Sequence, residues 1–156
     1  MSRSIRIASG PGASSGHDYD RVGHNFLFVV VREGSAAVNH IPVSAVVIAY
    51  NDEPNMRACL ESITWADEII VVDSHSTDAT ERISREFTDQ VYQHDFHGFG
   101  RLRNEALTHA THDWVFSLDT DERATPELRE EIRRVLAAGP EADAYFVPRK
   151  NYFLGR

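Results

Sequence analysis

Residues 43–73 read VSAVVIAYNDEPNMRACLESITWADEIIVVD. Two short apolar runs, at 43–50 and 68–73, enclose a segment with helical periodicity. A continuous apolar run is typical of a strand that is buried on both faces of a parallel sheet. In the enclosed segment Pro54 suits a first helical turn, and three apolar residues recur on one face: Met56, Leu60 and Ile63. The order strand, helix, strand predicts an α/β protein.

The same alternation continues through the rest of the chain. Further strands are expected at 90–94, 114–119 and 144–147. Three more helices are indicated by apolar stripes, which consist of Ala79, Ile83 and Phe87; Leu102, Ala106, Leu107 and Ala110; and Leu128, Ile132, Val135 and Leu136. Asp78 and Glu81 have the spacing of a capping box, and Thr125 followed by Pro126 is typical of a helix start. We therefore expect one domain with a mostly parallel sheet flanked by helices.

The composition excludes several classes of protein. The 156 residues include 16 Lys and Arg against 24 Asp and Glu, a net charge of −8. Nucleic-acid affinity depends on a surplus of basic side chains, so nucleic-acid binding is not expected. The single cysteine, Cys59, cannot form an internal disulfide or a zinc–thiolate cluster, which indicates a reducing, cytoplasmic environment. The apolar run at 26–31 is far shorter than the roughly 20 residues of a transmembrane helix.

Residues 1–42 differ in composition from the rest of the chain. They contain five of the nine glycines, and the stretch at 9–16 resembles a flexible linker. The apolar run at 26–31 could form a strand, but the sequence indicates no pairing partner for it. The expected organisation is a leader at 1–42, disordered or poorly packed, followed by a folded domain at 43–156.

Polar and acidic residues follow three of the expected strands. They are Tyr50, Asn51, Asp52 and Glu53 after the first strand, residues 73–78 after the second, and Asp119, Thr120, Asp121 and Glu122 after the fourth. Ligands of open α/β sheets bind beyond the carboxyl ends of the strands. We therefore expect one acidic site along this edge of the sheet.

Asp119 and Asp121 are two residues apart at the end of an extended segment, so their carboxylates are expected to face the same side. Such a pair can hold one Mg²⁺ or Mn²⁺ ion, which completes its coordination with water and phosphate oxygens of a substrate. Alternatively, Asp121 and Glu122 lie near the helix at Pro126 only because the helix dipole favours anions. An Asp-x-Asp triplet by itself does not distinguish these interpretations.

Three further residues each allow a binding and a structural interpretation. Asp73 can accept a hydrogen bond from a base or a ribose, or it can shape the turn that its polar neighbours form. Tyr50 can stack on a flat base, or it can close the edge of the sheet. Arg103 lies near a helix start, where a cation gains nothing from the dipole, so it suits a phosphate; a solvated surface arginine fits the spacing equally well.

Several common motifs are absent from the sequence. There is no Gly-x-Gly-x-x-Gly, P-loop or Gly-x-Ser-x-Gly motif, which argues against the usual dinucleotide, ATPase and hydrolase sites. Two histidine pairs, His94 with His97 and His109 with His112, have a three-residue spacing that can serve a metal ion. Neither pair has a clear third ligand, so we expect these histidines to be incidental.

Four segments of the chain together resemble the family 2 glycosyltransferases, in particular the branch that is similar to lipopolysaccharide core sugar transferases. The segments are VSAVVIAYNDEPNMRACLESITWADEIIVVDSHSTDAT, FHGFGRLRNEAL, DWVFSLDTDERATPELREEI and AYFVPRKNYFLGR. The resemblance implies a Rossmann-like GT-A fold that binds a nucleotide-diphosphate sugar with a divalent metal ion, Mg²⁺ or Mn²⁺. It places Tyr50 and Asn51 at the base, Asp73 at the base or ribose, Asp119 at the ribose, Asp121 at the metal and Arg103 near the diphosphate.

The resemblance also implies a reaction and its partners. Family members transfer the sugar to a glycan or lipid-linked glycan acceptor, usually with inversion, and a later part of their chain supplies the catalytic base. No residue of this sequence can be assigned that role, so we expect the chain to be truncated at its C-terminus. Further expectations are a cytoplasmic location at the inner face of the membrane, peripheral membrane association, and self-association through exposed Tyr152 and Phe153.

The sequence departs from the family pattern at two positions, and two other functions stay open. Asp52 replaces the commoner Glu, and His75 stands where Gly is usual, at a backbone position that favours glycine. One alternative is a noncatalytic nucleotide-sugar-binding fragment or assembly subunit. The other is a sugar nucleotidyltransferase, which would need a Gly-rich, Lys-containing loop after the first strand that this sequence lacks.

Overall fold

The computed structural model describes residues 26–31, 40–140, 142 and 144–148. This part of the chain contains six strands and four helices, in the order β1 (Phe26–Val31), β2 (Val43–Ala49), α1 (Glu53–Ser62), β3 (Glu68–Asp73), α2 (Thr80–Ser84), β4 (Val91–Gln93), α3 (Phe99–His109), β5 (Trp114–Asp119), α4 (Pro126–Ala137) and β6 (Ala144–Pro148). The five strands predicted from the periodicity are confirmed to within one residue at each end.

The strands form one mixed sheet in the order β4-β3-β2-β5-β1-β6. β2 pairs in parallel with β3 and β5, and β3 pairs in parallel with β4. These four strands are the parallel core that the sequence predicts. β1 is antiparallel to both of its neighbours, β5 and β6.

The position of β1 bears on the expected leader. Residues 26–31, which fall within 1–42, form an internal strand of the sheet, so the ordered sheet includes a segment that precedes Val43. The other leader residues 1–25 and 32–39 lie outside the described part of the chain, as do Tyr152 and Phe153. The partner that the sequence did not indicate for the apolar run is therefore the pair of strands β5 and β6.

Helices cover both faces of the parallel core. Successive side chains of a strand point to opposite faces, and β2 shows the consequence. Its residues Ala45, Val47 and Ala49 pack with α1, α2 and α4, whereas Val46 and Ile48 pack with α3. Burial of a side chain of the size of Val or Ile contributes roughly 1.5–3 kcal/mol. The two apolar layers thus fix the sheet from both faces, and with it the positions of the loops at its carboxyl edge.

The two predicted helix starts have different outcomes. Thr125 caps α4 as expected, because its side chain accepts a hydrogen bond from the Leu128 amide at 3.2 Å. The capping box of Asp78 and Glu81 is wrong. α2 begins at Thr80 after Ala79, with no side-chain cap. The Asp78 carboxylate instead accepts from two amides, those of Thr80 and Glu53, and so ties the turn after β3 to the start of α1.

Candidate functional site

The loops that follow β2 and β3 are fastened to each other at the carboxyl edge of the sheet. The Asn51 side-chain oxygen accepts from the Thr77 amide at 2.7 Å, and the Asn51 amide donates to Ser76 Oγ at 2.8 Å. The Asp52 amide donates to Thr80 Oγ1 at 2.9 Å. These bonds fix the relative position of two of the three polar clusters that the sequence indicates.

Asp73 is fully buried at the end of β3. One of its carboxylate oxygens accepts from the Ser76 amide at 2.9 Å, and the other accepts from the Ser76 hydroxyl. This is the turn-shaping arrangement that the sequence allows for Asp73. The two oxygens retain further lone pairs, but the residue has no exposed surface in this structure, so contact with a ligand would require the turn to shift.

Two residues in these loops adopt a left-handed backbone conformation. They are Asn51, with φ 46°, and His75, with φ 58°, and they are the only such non-glycine residues in the described part of the chain. The positive φ of His75 confirms that this position favours glycine. Its amide donates to Gln93 Oε1, and its Nε2 lies 3.1 Å from Asp95 Oδ1. A strained backbone conformation of this kind persists only where many surrounding contacts hold it in place, and such residues are common at binding sites.

The loop after β5 forms the third side of the site. β5 ends at Asp119, and the Glu122 amide donates to the Asp119 carbonyl at 3.0 Å, which closes a turn. The strand ends before Asp121. The alternation of side chains along a strand therefore does not determine the direction of the Asp121 carboxylate. The Thr120 hydroxyl donates to the Asp52 carboxylate, which joins this turn to the loop after β2. All three polar clusters are thus linked by hydrogen bonds.

Arg103, on α3, reaches this third cluster. Its guanidinium Nη2 lies 2.7 Å from Asp119 Oδ1, with the Arg103 and Asp119 side chains 28% and 34% exposed. The ion pair is half-shielded from water, so solvent screens it less than a surface pair. The sequence placed these two residues in one site but gave no sign that they pair directly.

Two buried polar atoms near the edge have no hydrogen-bond partner among the described residues. They are Ser74 Oγ, after β3, and Arg103 Nε. Buried polar groups in folded proteins are nearly always satisfied, by protein, water or a ligand. Both atoms can donate a hydrogen bond, so an acceptor oxygen of water or of a ligand would satisfy either of them.

The acidic residues of the site fit a hard divalent cation. Asp121 is exposed and makes no hydrogen bond or ion pair to another described residue. No group of three or more His, Cys, Asp or Glu side chains within residues 40–140 is arranged to hold a metal ion. Mg²⁺ and Mn²⁺ are commonly held by one or two carboxylates together with water and substrate phosphates. The exposed Asp121 carboxylate, close in sequence to Asp119, has the oxygen chemistry which that mode of binding requires.

Tyr50 and Cys59 occupy opposite environments in the site. The Tyr50 side chain is 63% exposed, so its ring lies largely in solvent. Cys59, on α1, lies under the third cluster, and its thiol donates to the Asp119 carbonyl at 3.6 Å. Burial raises the pKa of the Cys59 thiol to about 12. The thiol is therefore a packing group below the site and not a nucleophile at neutral pH.

The sequence reasoning missed the side chains that connect the clusters. Ser76, Thr80 and Thr120 carry the bonds between the loops, and Glu122 accepts from the Asp119 amide at 2.8 Å. Their only signal in the sequence is an unusual density of short polar residues after the strands. The histidines also pair differently from their spacing, because His94 contacts His109 and not His97.

The fold and the edge define the class of α/β proteins that bind ligands beyond the carboxyl ends of parallel strands. Within that class the chain belongs to the glycosyl transferase family 2, whose family model matches residues 44–154. It is 33% identical over 120 residues to the lipopolysaccharide core biosynthesis glycosyltransferase LpsC of Rhizobium meliloti (strain 1021). That match covers 74% of this chain and 44% of LpsC, so the chain spans less than half the length of this relative.

Solved structures show the same family architecture. S. aureus TarS 1-349 in complex with UDP superposes with a TM-score of 0.51 and 26% identity, covering 61% of this chain and 32% of that one. Mannosyl-3-phosphoglycerate synthase from Rubrobacter xylanophilus gives a TM-score of 0.55 and 26% identity, covering 64% and 37%. The GT-A fold expected from the resemblance is confirmed by these matches. Among the described residues, none of the helices is both long and apolar enough to cross a bilayer.

Proposed function

We propose that this chain is the donor-binding part of a glycosyltransferase that transfers a sugar from a nucleotide-diphosphate donor to an envelope glycan acceptor. The observation that carries the proposal is the position of Asp73, Asp119, Asp121 and Arg103 at the carboxyl edge of one parallel sheet, in loops that hydrogen bonds join. At this edge Arg103 of α3 pairs with Asp119 at the end of β5, and the exposed Asp121 follows two residues later in the same loop as Asp119. The name of LpsC supports lipopolysaccharide core biosynthesis as the setting, and the UDP complex of TarS supports a uridine nucleotide.

The nucleoside is proposed to lie over the loops that follow β2 and β3. The exposed ring of Tyr50 is available for stacking on the base, and Asn51 holds the loop beneath it. The buried Asp73 carboxylate would accept from the base or the ribose through its remaining lone pairs. Asp119, which pairs with Arg103, would accept a hydrogen bond from a ribose hydroxyl.

The diphosphate is proposed to meet Arg103. Its guanidinium offers five N–H donors in a rigid fork, and Nε has no partner in the described structure. Charge-assisted bonds to phosphate are stronger than neutral ones, so the arginine can exchange part of its contact with Asp119 for the ligand. As the sugar leaves, negative charge grows on the diphosphate, and the same donors stabilise it.

A divalent cation, Mg²⁺ or Mn²⁺, is proposed to be held by Asp121, with Asp119 as the neighbouring carboxylate. When bound, such an ion neutralises charge on the diphosphate leaving group. In this proposal Asp121 supplies the oxygen ligand, and Arg103 positions the phosphates. Soft or imidazole ligands are absent from this loop, which agrees with a preference for a hard cation.

The acceptor, the inverting course and the cellular setting are part of the same proposal. Inversion requires a base that removes the proton from the acceptor hydroxyl during direct displacement at the anomeric carbon. We assign this base to no residue of the described part of the chain. Work on a lipid-linked core glycan would place the protein in the cytoplasm, at the inner face of the membrane.

Calorimetric titration of the chain with UDP, with Mn²⁺ and with a chelator, tests the assignment. We expect metal-dependent binding that Asp121→Ala reduces at least tenfold, to the level seen with chelator. Asp73→Ala should weaken binding with and without metal. The matched control is Asp89→Ala, which removes an exposed carboxylate just before β4, at the opposite edge. Unchanged binding in both site variants, with folding verified by circular dichroism, would remove the assignment.

A further inference from the structure

A pair of histidines meets beside the candidate site, on the α3 face of the sheet. His94 follows the end of β4, and His109 is the last residue of α3. Their Nε2 atoms lie 3.2 Å apart, with the rings edge to face at 64°. Neither the proposed donor nor its metal ion uses these two side chains.

The separation of the two nitrogens matches the bite of a shared metal ion. Zn²⁺ binds imidazole nitrogen at about 2.0–2.1 Å with tetrahedral angles, which puts two ligating nitrogens roughly 3.3 Å apart. We propose that His94 and His109 bind one divalent transition-metal ion of the zinc class through their Nε2 atoms. Two protein ligands are fewer than the three or four that zinc sites in proteins commonly have, so water would complete the coordination and the ion would exchange readily. Imidazole ligands distinguish it from the hard-cation site at Asp121.

The surroundings of the pair hold both rings in place. Tyr92 stacks on the His109 ring with centroids 3.7 Å apart and an interplanar angle of 10°. The His94 amide donates to the Asp73 carbonyl at 3.0 Å, which fixes the backbone at the end of β4. A ligand pair that is already positioned loses less side-chain entropy on binding.

A carboxylate lies at the other nitrogen of His94. Glu105 Oε2 is 3.8 Å from His94 Nδ1, and Glu105 is one helical turn before His109 on α3. Metal-binding histidines usually donate their second ring N–H to a carboxylate, a carbonyl or water, which directs the free lone pair of Nε2 towards the metal. A modest rotation of the half-exposed Glu105 side chain would complete that hydrogen bond.

The competing explanation is an N–H···N hydrogen bond, in which the two rings share a proton. It needs the same distance but no metal ion. Zinc titration of the full chain, without nucleotide, separates the two. We expect one Zn²⁺ per chain, an upward shift of Tm with zinc concentration, and at least tenfold weaker binding in both His94→Asn and His109→Asn.

Two controls make the result specific. His97→Asn changes an exposed histidine three residues from His94 and should leave zinc affinity unchanged. Asp121→Asn should also leave it unchanged, because the proposal places zinc away from the donor site. Addition of Co²⁺ to the unaltered chain should broaden the ring NMR signals of His94 and His109 before those of His97. Equal zinc affinity in all variants, or broadening of all histidines together, would overturn the proposal.

Discussion

Arg103 Nη2 lies 2.7 Å from Asp119 Oδ1, and this ion pair joins α3 to the end of β5. Arg103 belongs to the helix that covers one face of the sheet, and Asp119 is the last residue of the strand β5 within that sheet. A guanidinium held at this point lies at the edge where three polar loops are linked. The pair therefore couples the position of the Arg103 guanidinium to the position of the acidic loop after β5.

The first prediction concerns this cation. Arg103→Gln should weaken UDP binding by about 10- to 100-fold, since a charge-assisted hydrogen bond contributes about 1.5–3 kcal/mol. Uridine, which has no phosphate, should bind both proteins equally. Calorimetry with the two ligands measures the difference. Arg101→Gln is the control, because Arg101 is an exposed arginine on the same helix; an equal loss in that variant would argue for a general charge effect.

The second prediction concerns Glu68, which is buried at the amino edge of the sheet. Its carboxylate accepts from Ser44 Oγ, from the amide and hydroxyl of Thr111, and from Gln90 Nε2. Burial opposes ionisation, but these hydrogen bonds outweigh it and hold the pKa of Glu68 below its ordinary value. The stabilisation is therefore complete above the ordinary carboxyl pKa and is lost as the pH falls through the lowered one.

Glu68→Gln should reduce the free energy of unfolding at pH 7 by about 1–3 kcal/mol, because an amide cannot accept all four bonds. The variant should also lose part of the decline in stability that the unaltered chain shows below about pH 5. Urea unfolding at several pH values measures both effects. Glu61→Gln, at an exposed site on α1, should change neither. A pH profile that Glu68→Gln leaves unaltered would contradict the lowered pKa.

The third prediction uses the strained turn after β3. His75→Gly and His75→Ala both remove the contact with Asp95, but only glycine relieves the positive φ of 58°. The glycine variant should be more stable than the alanine variant by about 1 kcal/mol. Chemical denaturation of the two variants measures this difference directly. Equal stabilities would show that the backbone changes conformation when the side chain is lost.

The fourth prediction concerns Cys59, the only cysteine of the chain. Because burial raises its pKa to about 12, very little thiolate is present at pH 8. Alkylation of the folded protein should be at least about a hundredfold slower than alkylation of the chain in urea, where the thiol has an ordinary pKa near 8.5. Mass spectrometry at timed intervals gives both rates. Comparable rates would mean that the loop above Cys59 opens readily.

The sequence indicates much of the candidate site because parallel strands end at one edge. Asp73 and Asp119 are each the last residue of a strand, so periodicity alone places them together. It could not show that Arg103 bonds to Asp119, or that Ser76, Thr80 and Thr120 tie the loops, since these contacts join residues 16 to 68 positions apart. The capping box failed for a related reason: Asp78 bonds to Glu53 across the loops and does not cap α2.

The sequence by itself determined the alternating strands and helices, the parallel core and the polar edge, because burial on one or both faces imposes a period that can be read along the chain. Only the tertiary structure decided the neighbours of β1, the ion pair of Arg103 and the meeting of His94 with His109. These pairings depend on the order and direction of strands and on the packing of α3. Contacts of this kind form only when the whole chain packs into its state of lowest free energy. They leave no pattern in the local sequence.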